Sequence, residues 1–330
     1  MNSILSKVRE WLQLAKQQRG GGLRYAGLMS ANHLLNGVSG VLAMRWLEPV
    51  ALGWWNSAQM VSIALDPFRI GVLNGMNREY PFLLGVGERE RAHRILETGL
   101  AHTLVTLVFC QFVIASGVYL LRDSDPRLVA GLIAAGAIWS LGYYTQFFRS
   151  MLRTSDQFNL TGKIELFATA VDATAVILVW RFGYAGLLVR AIATAVLLAV
   201  IYRLFQPVSV KPRFHWDAFR SMVLFGRNTY IINYIMMIGA NAERLLLLSA
   251  PEGVRLVGLY MPAVVCGAFM QVVPGAMHNY FYPRLVQEYG RDRNVGVLAR
   301  AIFHQIKRTS ALMLPLGVGT ALGIMLVVEF

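Results

Sequence analysis

The stretch YIMMIGANAERLLLLSAPEGVRLVGLY, residues 234–260, decides the fold class. It is nearly all hydrocarbon, yet Glu243 and Arg244 stand side by side in it, and Pro251, Glu252 and Gly253 break it before the apolar run resumes. A short turn between two apolar runs of about 20 residues is the mark of a chain that crosses a bilayer twice. An ionised side chain near the bilayer centre costs roughly 2.5–3.5 kcal/mol on insertion scales, so it persists there only with partners or in a wet cavity. Neighbours on a helix point about 100° apart, so Glu243 and Arg244 cannot both face lipid comfortably. Two accounts are open: a snorkelling pair that ends the helix and pins the turn, or part of a polar cavity lining.

The rest of the chain has the same character. Of its 330 residues 56% are hydrophobic and only 15% charged, against about 25% charged in a soluble domain. Nine apolar runs, at 25–44, 54–76, 96–121, 128–148, 164–180, 184–204, 224–248, 256–281 and 309–328, are each near span length. The expected fold class is therefore an all-α polytopic membrane protein of about nine transmembrane helices.

The net charge of +13 is not a nucleic-acid footprint, because the basic residues lie in short segments between apolar runs. Threaded with the N terminus inside, the chain places 23 of its 31 Lys and Arg on the cytoplasmic side and five outside. That asymmetry sets the orientation. Arg69, Arg190 and Arg244 remain within spans.

Residues 1–22 carry no signal-peptide core. Ile4, Leu5, Val8, Trp11, Leu12 and Ala15 recur at helical spacing beside Lys7, Arg9, Lys16 and Arg19, which predicts an amphipathic helix on the anionic cytoplasmic leaflet; a solvated basic tail is the other reading. Cys110 and Cys266 lie deep in apolar runs, and no metal or disulfide spacing is present.

Polar residues inside the spans are the candidate site. Asn32 and Asn36 share a face of the first span, with His33 beside them. Asp66 and Arg69 in the second span are spaced to pair on one face, and Pro67 between them frees a carbonyl, which membranes tolerate where backbone meets protein or water. Asn228 and Asn233, with Asn241, mark the seventh span, which ends at Glu243 and Arg244. Two readings are open for each group: cavity lining, or a structural role, which is interhelical hydrogen bonding for the Asn and His residues and a self-neutralised pair for Asp66 and Arg69. Asp172 and Arg190, on consecutive spans, are placed to form a structural lock.

The longest polar break, RLFQPVSVKPRFHWDAFRSMV (203–223), separates six spans from three. The predicted units are a surface helix at 1–22, a six-helix lobe at 23–205, a linker at 206–223 and a three-helix partial lobe at 224–330. A slide of 205 residues aligns Gly53 with Gly258, Ala58 with Ala263, Asn74 with Asn279 and Gly85 with Gly290, in the order a parallel repeat requires. The chain reads as cut off after GIMLVVEF.

Several segments carry a family resemblance. RWLEPVALGWWNSAQM (45–60), NREYPFLLGVGERERAHRI (77–95), KPRFHWDAFRSMVLFG (211–226), NAERLLLLSAPEGVRLVGLY (241–260) and YFYPRLVQEYGRDRNVGVLARA (280–301) occur in order. Together they resemble the Wzx-like oligosaccharide flippases, the polysaccharide-biosynthesis branch of the superfamily shared with multidrug exporters. Glu243 stands where that family more often has Asp, and the family carries more helices than the nine counted here. The resemblance implies a two-lobed, MATE-like bundle with an incomplete second lobe, whose cleft is lined by spans one, two, seven and eight. It implies a flippase of the bacterial cytoplasmic membrane that moves polyprenyl-diphosphate-linked glycan for O-antigen, capsule or exopolysaccharide synthesis. Its expected partners are that lipid-linked glycan, membrane lipids, and a polysaccharide polymerase and glycosyltransferases. No cofactor is implied; the coupling ion, H+ or Na+, is left open.

Three other functions compete. A cation-coupled drug exporter favours buried acids in the first or seventh span, where only Glu243 stands near an end. A membrane glycosyltransferase or polymerase generally needs acids in a large outer loop; here the first two outer loops offer only Glu48, Asp123 and Asp125. A non-transporting scaffold for a synthase complex is the third.

Overall fold

The computed structural model describes residues 25, 27–29, 31–270, 275, 281–287, 289–290, 296, 299–300, 302–307, 310–311 and 313–314. The predicted surface helix at 1–22 and most of the ninth span lie outside the described residues, as does the side chain of Cys266. The described part is helical, with no strand.

Helix α1 covers residues 31–46. It is followed by α2 (Pro49–Gln59), α3 (Val61–Leu65), a 3-10 turn (Asp66–Arg69) and α4 (Val72–Val86). Next come α5 (Arg89–Leu120), α6 (Pro126–Thr154), α7 (Phe158–Thr174) and α8 (Val176–Leu204), then α9 (Trp216–Leu248) and α10 (Gly253–Met270). Four of these, α5, α6, α8 and α9, are long and apolar enough to cross a membrane by themselves. Val108 and Phe112 on α5 are 74% and 70% exposed, so that helix turns hydrocarbon outward to lipid rather than to a core.

Two departures from the nine continuous spans have local causes. The second expected span, 54–76, is not one helix. Pro67 lacks the N–H that an α-helix needs, the chain tightens into the 3-10 turn, and Ile70 and Gly71 then take positive φ of 50° and 75°. Alpha-helix resumes only at Val72. The boundary between the fifth and sixth spans lies inside α8, at Gly183 (φ 56°, ψ −129°). A Cβ on Gly186 would overlap the Leu178 carbonyl, eight residues back, which in a straight helix is about 12 Å away. The chain therefore reverses at Gly183, as the separation of 164–180 from 184–204 requires.

The main core sits on the predicted cytoplasmic half, where Met76 of α4, Leu96 of α5, Tyr143, Phe147 and Met151 of α6, Tyr202 of α8 and Met222 of α9 are buried together. A second cluster ties α1 and α2 to α8 through Ala43, Leu47, Leu52, Val179 and Leu187. Helix α9 packs on α4, and α10 packs on α2. Both contacts depend on the smallest side chain. A Cβ on Gly71 would fall 2.8 Å from Tyr230 Cβ, and one on Gly226 would fall 2.6 Å from Gly75 N. With no water to expel between helices, close backbone approach supplies the dispersion contacts that hold them.

Candidate functional site

The break in the second span is the centre of the arrangement. Pro67 has no N–H to give the Ile63 carbonyl four residues back, and the 3-10 turn leaves the Asp66 carbonyl without an α-helical donor, so α9 supplies both. Tyr230 donates to the Asp66 carbonyl at 2.6 Å, and one turn later Tyr234 donates to the Ile63 carbonyl at 3.0 Å. The two rings stack with centroids 6.1 Å apart.

Asp66 and Arg69 of the turn point to α6, while Phe68 packs edge-on against Phe109 of α5. Asp66 Oδ1 accepts from the Trp139 indole at 2.8 Å and lies 3.2 Å from Arg69 Nε, which makes the expected Asp66–Arg69 ion pair. The Arg69 guanidinium lies over the faces of Trp139 (4.7 Å) and Tyr143 (4.9 Å) and donates to Gln146 Oε1 at 3.4 Å. The network continues to buried His102, 3.3 Å from the Tyr143 hydroxyl. Arginine suits this place because its planar, weakly hydrated fork stacks on rings while keeping its charge.

A second polar string holds α1 on α7 and α8. Asn36 donates to Asn32 at 2.8 Å, and Thr169 donates to the same Asn32 oxygen. Arg190 pairs with Asp172 and donates to Ser39, while Thr194 donates to Asp172 at 2.9 Å. The Asp172–Arg190 lock thus forms as the spacing implies. Its carboxylate has three donors, which is how a buried charge is tolerated.

The third group lies at the far end of α9. Gly226, Tyr230 and Tyr234 face the second span, and Arg244 continues the same stripe at helical spacing. Its Nε is buried with no hydrogen-bond partner. Glu243 points elsewhere and accepts from Tyr260 of α10. Among the described residues Arg69 and Arg190 each have a carboxylate, whereas Arg244 is in no ion pair.

The nine sequence candidates are therefore divided. Asp66 and Arg69 meet each other, and Asn32 meets Asn36. His33 is half-buried on α1, without a hydrogen bond among the described residues. Asn228 and Asn233 are exposed, and Asn228 lies on the side of α9 away from α4. No described contact joins Glu243 and Arg244 to the Asp66 turn. Trp139, Tyr143, Gln146, Tyr230 and Tyr234 were missed. Their signal was present in the sequence, since 139, 143 and 146 form one helical stripe and 226, 230 and 234 another.

Comparisons with known proteins agree with this architecture. The model of a polysaccharide biosynthesis protein family matches residues 98–330. No curated protein matches the sequence. Among solved structures, an outward-facing multidrug resistance MATE family transporter of the MOP superfamily superposes with a TM-score of 0.69 at 16% identity, over 91% of this chain and 71% of its own. A MOP superfamily transporter from Pyrococcus furiosus gives 0.66 at 15% identity, over 91% and 71%. The Vibrio cholerae MATE transporter VcmN, as a point variant, gives 0.63 at 17% identity, over 96% and 73%. At these identities the likeness is one of fold: an all-α, MATE-like bundle.

Proposed function

The chain belongs to the polysaccharide biosynthesis protein family, and from that premise we propose that it is a flippase carrying polyprenyl-diphosphate-linked oligosaccharide across the bacterial cytoplasmic membrane. The orientation in this reading is N terminus inside, supported by 23 cytoplasmic Lys and Arg against five outside. Residues 23–205 and 224–330 act as two lobes joined by the linker at 206–223, and the substrate passes where the second span faces α9.

The observation that carries this reading is Arg244. It is an arginine within a span, on the α9 stripe that faces the second span, with a buried Nε lacking a partner. A diphosphate offers that fork the bidentate acceptor the protein does not. Aromatic faces and amides around the broken span, Tyr230, Tyr234 and Gln146, suit sugar rings and hydroxyls. Arg69 is held by Asp66 and α6, and in this scheme it shapes the turn rather than meeting the diphosphate.

A cation-coupled drug exporter is the second reading, favoured by the fold shared with a multidrug resistance transporter. Vesicles holding the purified full chain separate the two. A fluorescent polyprenyl-diphosphate glycan should reach the opposite leaflet without being consumed. Export of a cationic dye with no movement of that lipid would replace the flippase by the exporter, and turnover of the lipid-linked sugar would make the protein an enzyme.

A further inference from the structure

A second ionisable cluster lies away from the span-2 break, where the linker enters α9. A cavity of about 590 Å³ opens between the start of α5 and the linker. Arg89, His93, Arg94 and Glu97 line it from α5, and Arg213 and His215 line it from the linker. Glu90 completes the lining.

The charges do not cancel. Glu97 is taken by His215, 2.9 Å away, and by His93 at 3.7 Å, while the His215 amide donates to Thr98 at 3.1 Å. Arg94 reaches only the exposed Asp217, at 4.0 Å. Arg89 and Arg213 form no ion pair among the described residues. Three guanidinium groups from two segments thus face one cavity, with Glu90 as the carboxylate not engaged.

The level of this cavity fixes what can enter it. Helix α5 rises about 1.5 Å per residue, so Arg94 and Arg89 lie roughly 3 and 10 Å beyond the start of the apolar run at residue 96. A bilayer about 40–45 Å thick with a core of about 30 Å has a headgroup layer about 5–7.5 Å deep on each side, so Arg94 lies within that layer and Arg89 at its aqueous edge. The linker residues beside the cavity are aromatic and turned outward: Phe214 is 53% exposed and Trp216 67%. Exposed aromatic rings next to arginines at a membrane interface are the pairing that anchors protein to lipid.

We propose that this cavity is a binding site for the phosphate headgroup of an anionic membrane phospholipid. The phosphate bridges Arg89 and Arg94 of α5 to Arg213 of the linker, and the acyl chains lie along Phe214 and Trp216. The lipid holds the linker against α5, independently of what the transporter carries.

The test uses the full chain in neutral phosphatidylcholine nanodiscs, titrated with dioctanoyl phosphatidylglycerol, dioctanoyl phosphatidylcholine or inorganic phosphate. Retained lipid is read by native mass spectrometry and melting temperature by tryptophan fluorescence. Phosphatidylglycerol should be retained and raise the melting temperature, at least tenfold more tightly than phosphatidylcholine. Arg89→Gln/Arg94→Gln/Arg213→Gln should abolish that preference. Should this variant not fold, the linker variant Arg213→Gln, at an exposed position, should weaken phosphatidylglycerol binding at least threefold. Equal retention of the two lipids, or a preference unchanged in the folded variant, would overturn the site. Equal protection by inorganic phosphate would overturn the lipid as its source.

Discussion

Gly53 on α2 and Gly258 on α10 pack backbone to backbone, and their contact is reciprocal. A Cβ on Gly53 would overlap the Val254 carbonyl, and one on Gly258 would overlap the Pro49 carbonyl. Val254 and Pro49 are separated by the same 205 residues as the two glycines. The pattern repeats at the C-terminal end of α4: a Cβ on Gly85 would lie 2.5 Å from the Gln287 carbonyl, and one on Gly290 2.9 Å from that of Phe82. Residue i touching j′ while j touches i′ is the signature of a two-fold contact, here within one chain.

Gly258→Ala should therefore destabilise the protein by about 1–3 kcal/mol, the usual cost of overpacking. Gly239→Ala, where an added Cβ meets nothing within 4 Å, is the control and should be neutral or better. Thermal unfolding in detergent decides it. Equal melting temperatures for the two variants would remove the glycine contact as a fold determinant.

Gly183→Ala tests a different mechanism. Nothing lies within 4 Å of an added Cβ there, but the backbone at φ 56° and ψ −129° is one that side-chain-bearing residues avoid. A loss of about 1–3 kcal/mol is expected from backbone strain alone. An unchanged melting temperature would mean that the reversal between the fifth and sixth spans has another conformation.

Asp172→Asn should lower folded yield sharply, because it leaves Arg190, with its side chain 9% exposed, without its counter-charge. Breaking a buried pair from one side costs about 3–5 kcal/mol, whereas replacing both partners by apolar residues is often neutral. Asp172→Leu/Arg190→Leu should thus recover membrane abundance relative to the single variant. Failure of that rescue would give these residues a role beyond the lock.

Arg69 and Arg244 should separate in behaviour. Arg69→Lys loses the stacking on Trp139 and Tyr143 and should reduce stability by about 0.5–2 kcal/mol. Arg244→Lys should fold normally and lose flux of lipid-linked sugar, since Lys keeps the charge and lacks the fork. Flux per folded molecule and melting temperature are measured on both. Normal flux in Arg244→Lys and Arg244→Ala would make that arginine a helix-end anchor and withdraw it from the transport path.

The apolar runs, their lengths and the basic asymmetry determined by themselves that this chain is an all-α membrane protein, because lipid allows few other solutions to the backbone's hydrogen bonding. Asp66–Arg69 and Asp172–Arg190 were legible for the same reason: a charge in a span needs a partner, and spacing names the nearest one. What spacing does not carry is the direction a side chain takes once its helix is broken. Pro67 showed that the second span was weakened, yet only the packed structure turned Arg69 onto Trp139 and Tyr143 and brought Tyr230 and Tyr234 to the freed carbonyls. Likewise Asn228 and Arg244 look alike in sequence as polar residues of one span. Their spacing of 16 residues puts them on opposite sides of α9, but only the crossing of α9 over Gly71 and Gly75 decided which side meets the second span, because a helix–helix contact is set by both partners at once.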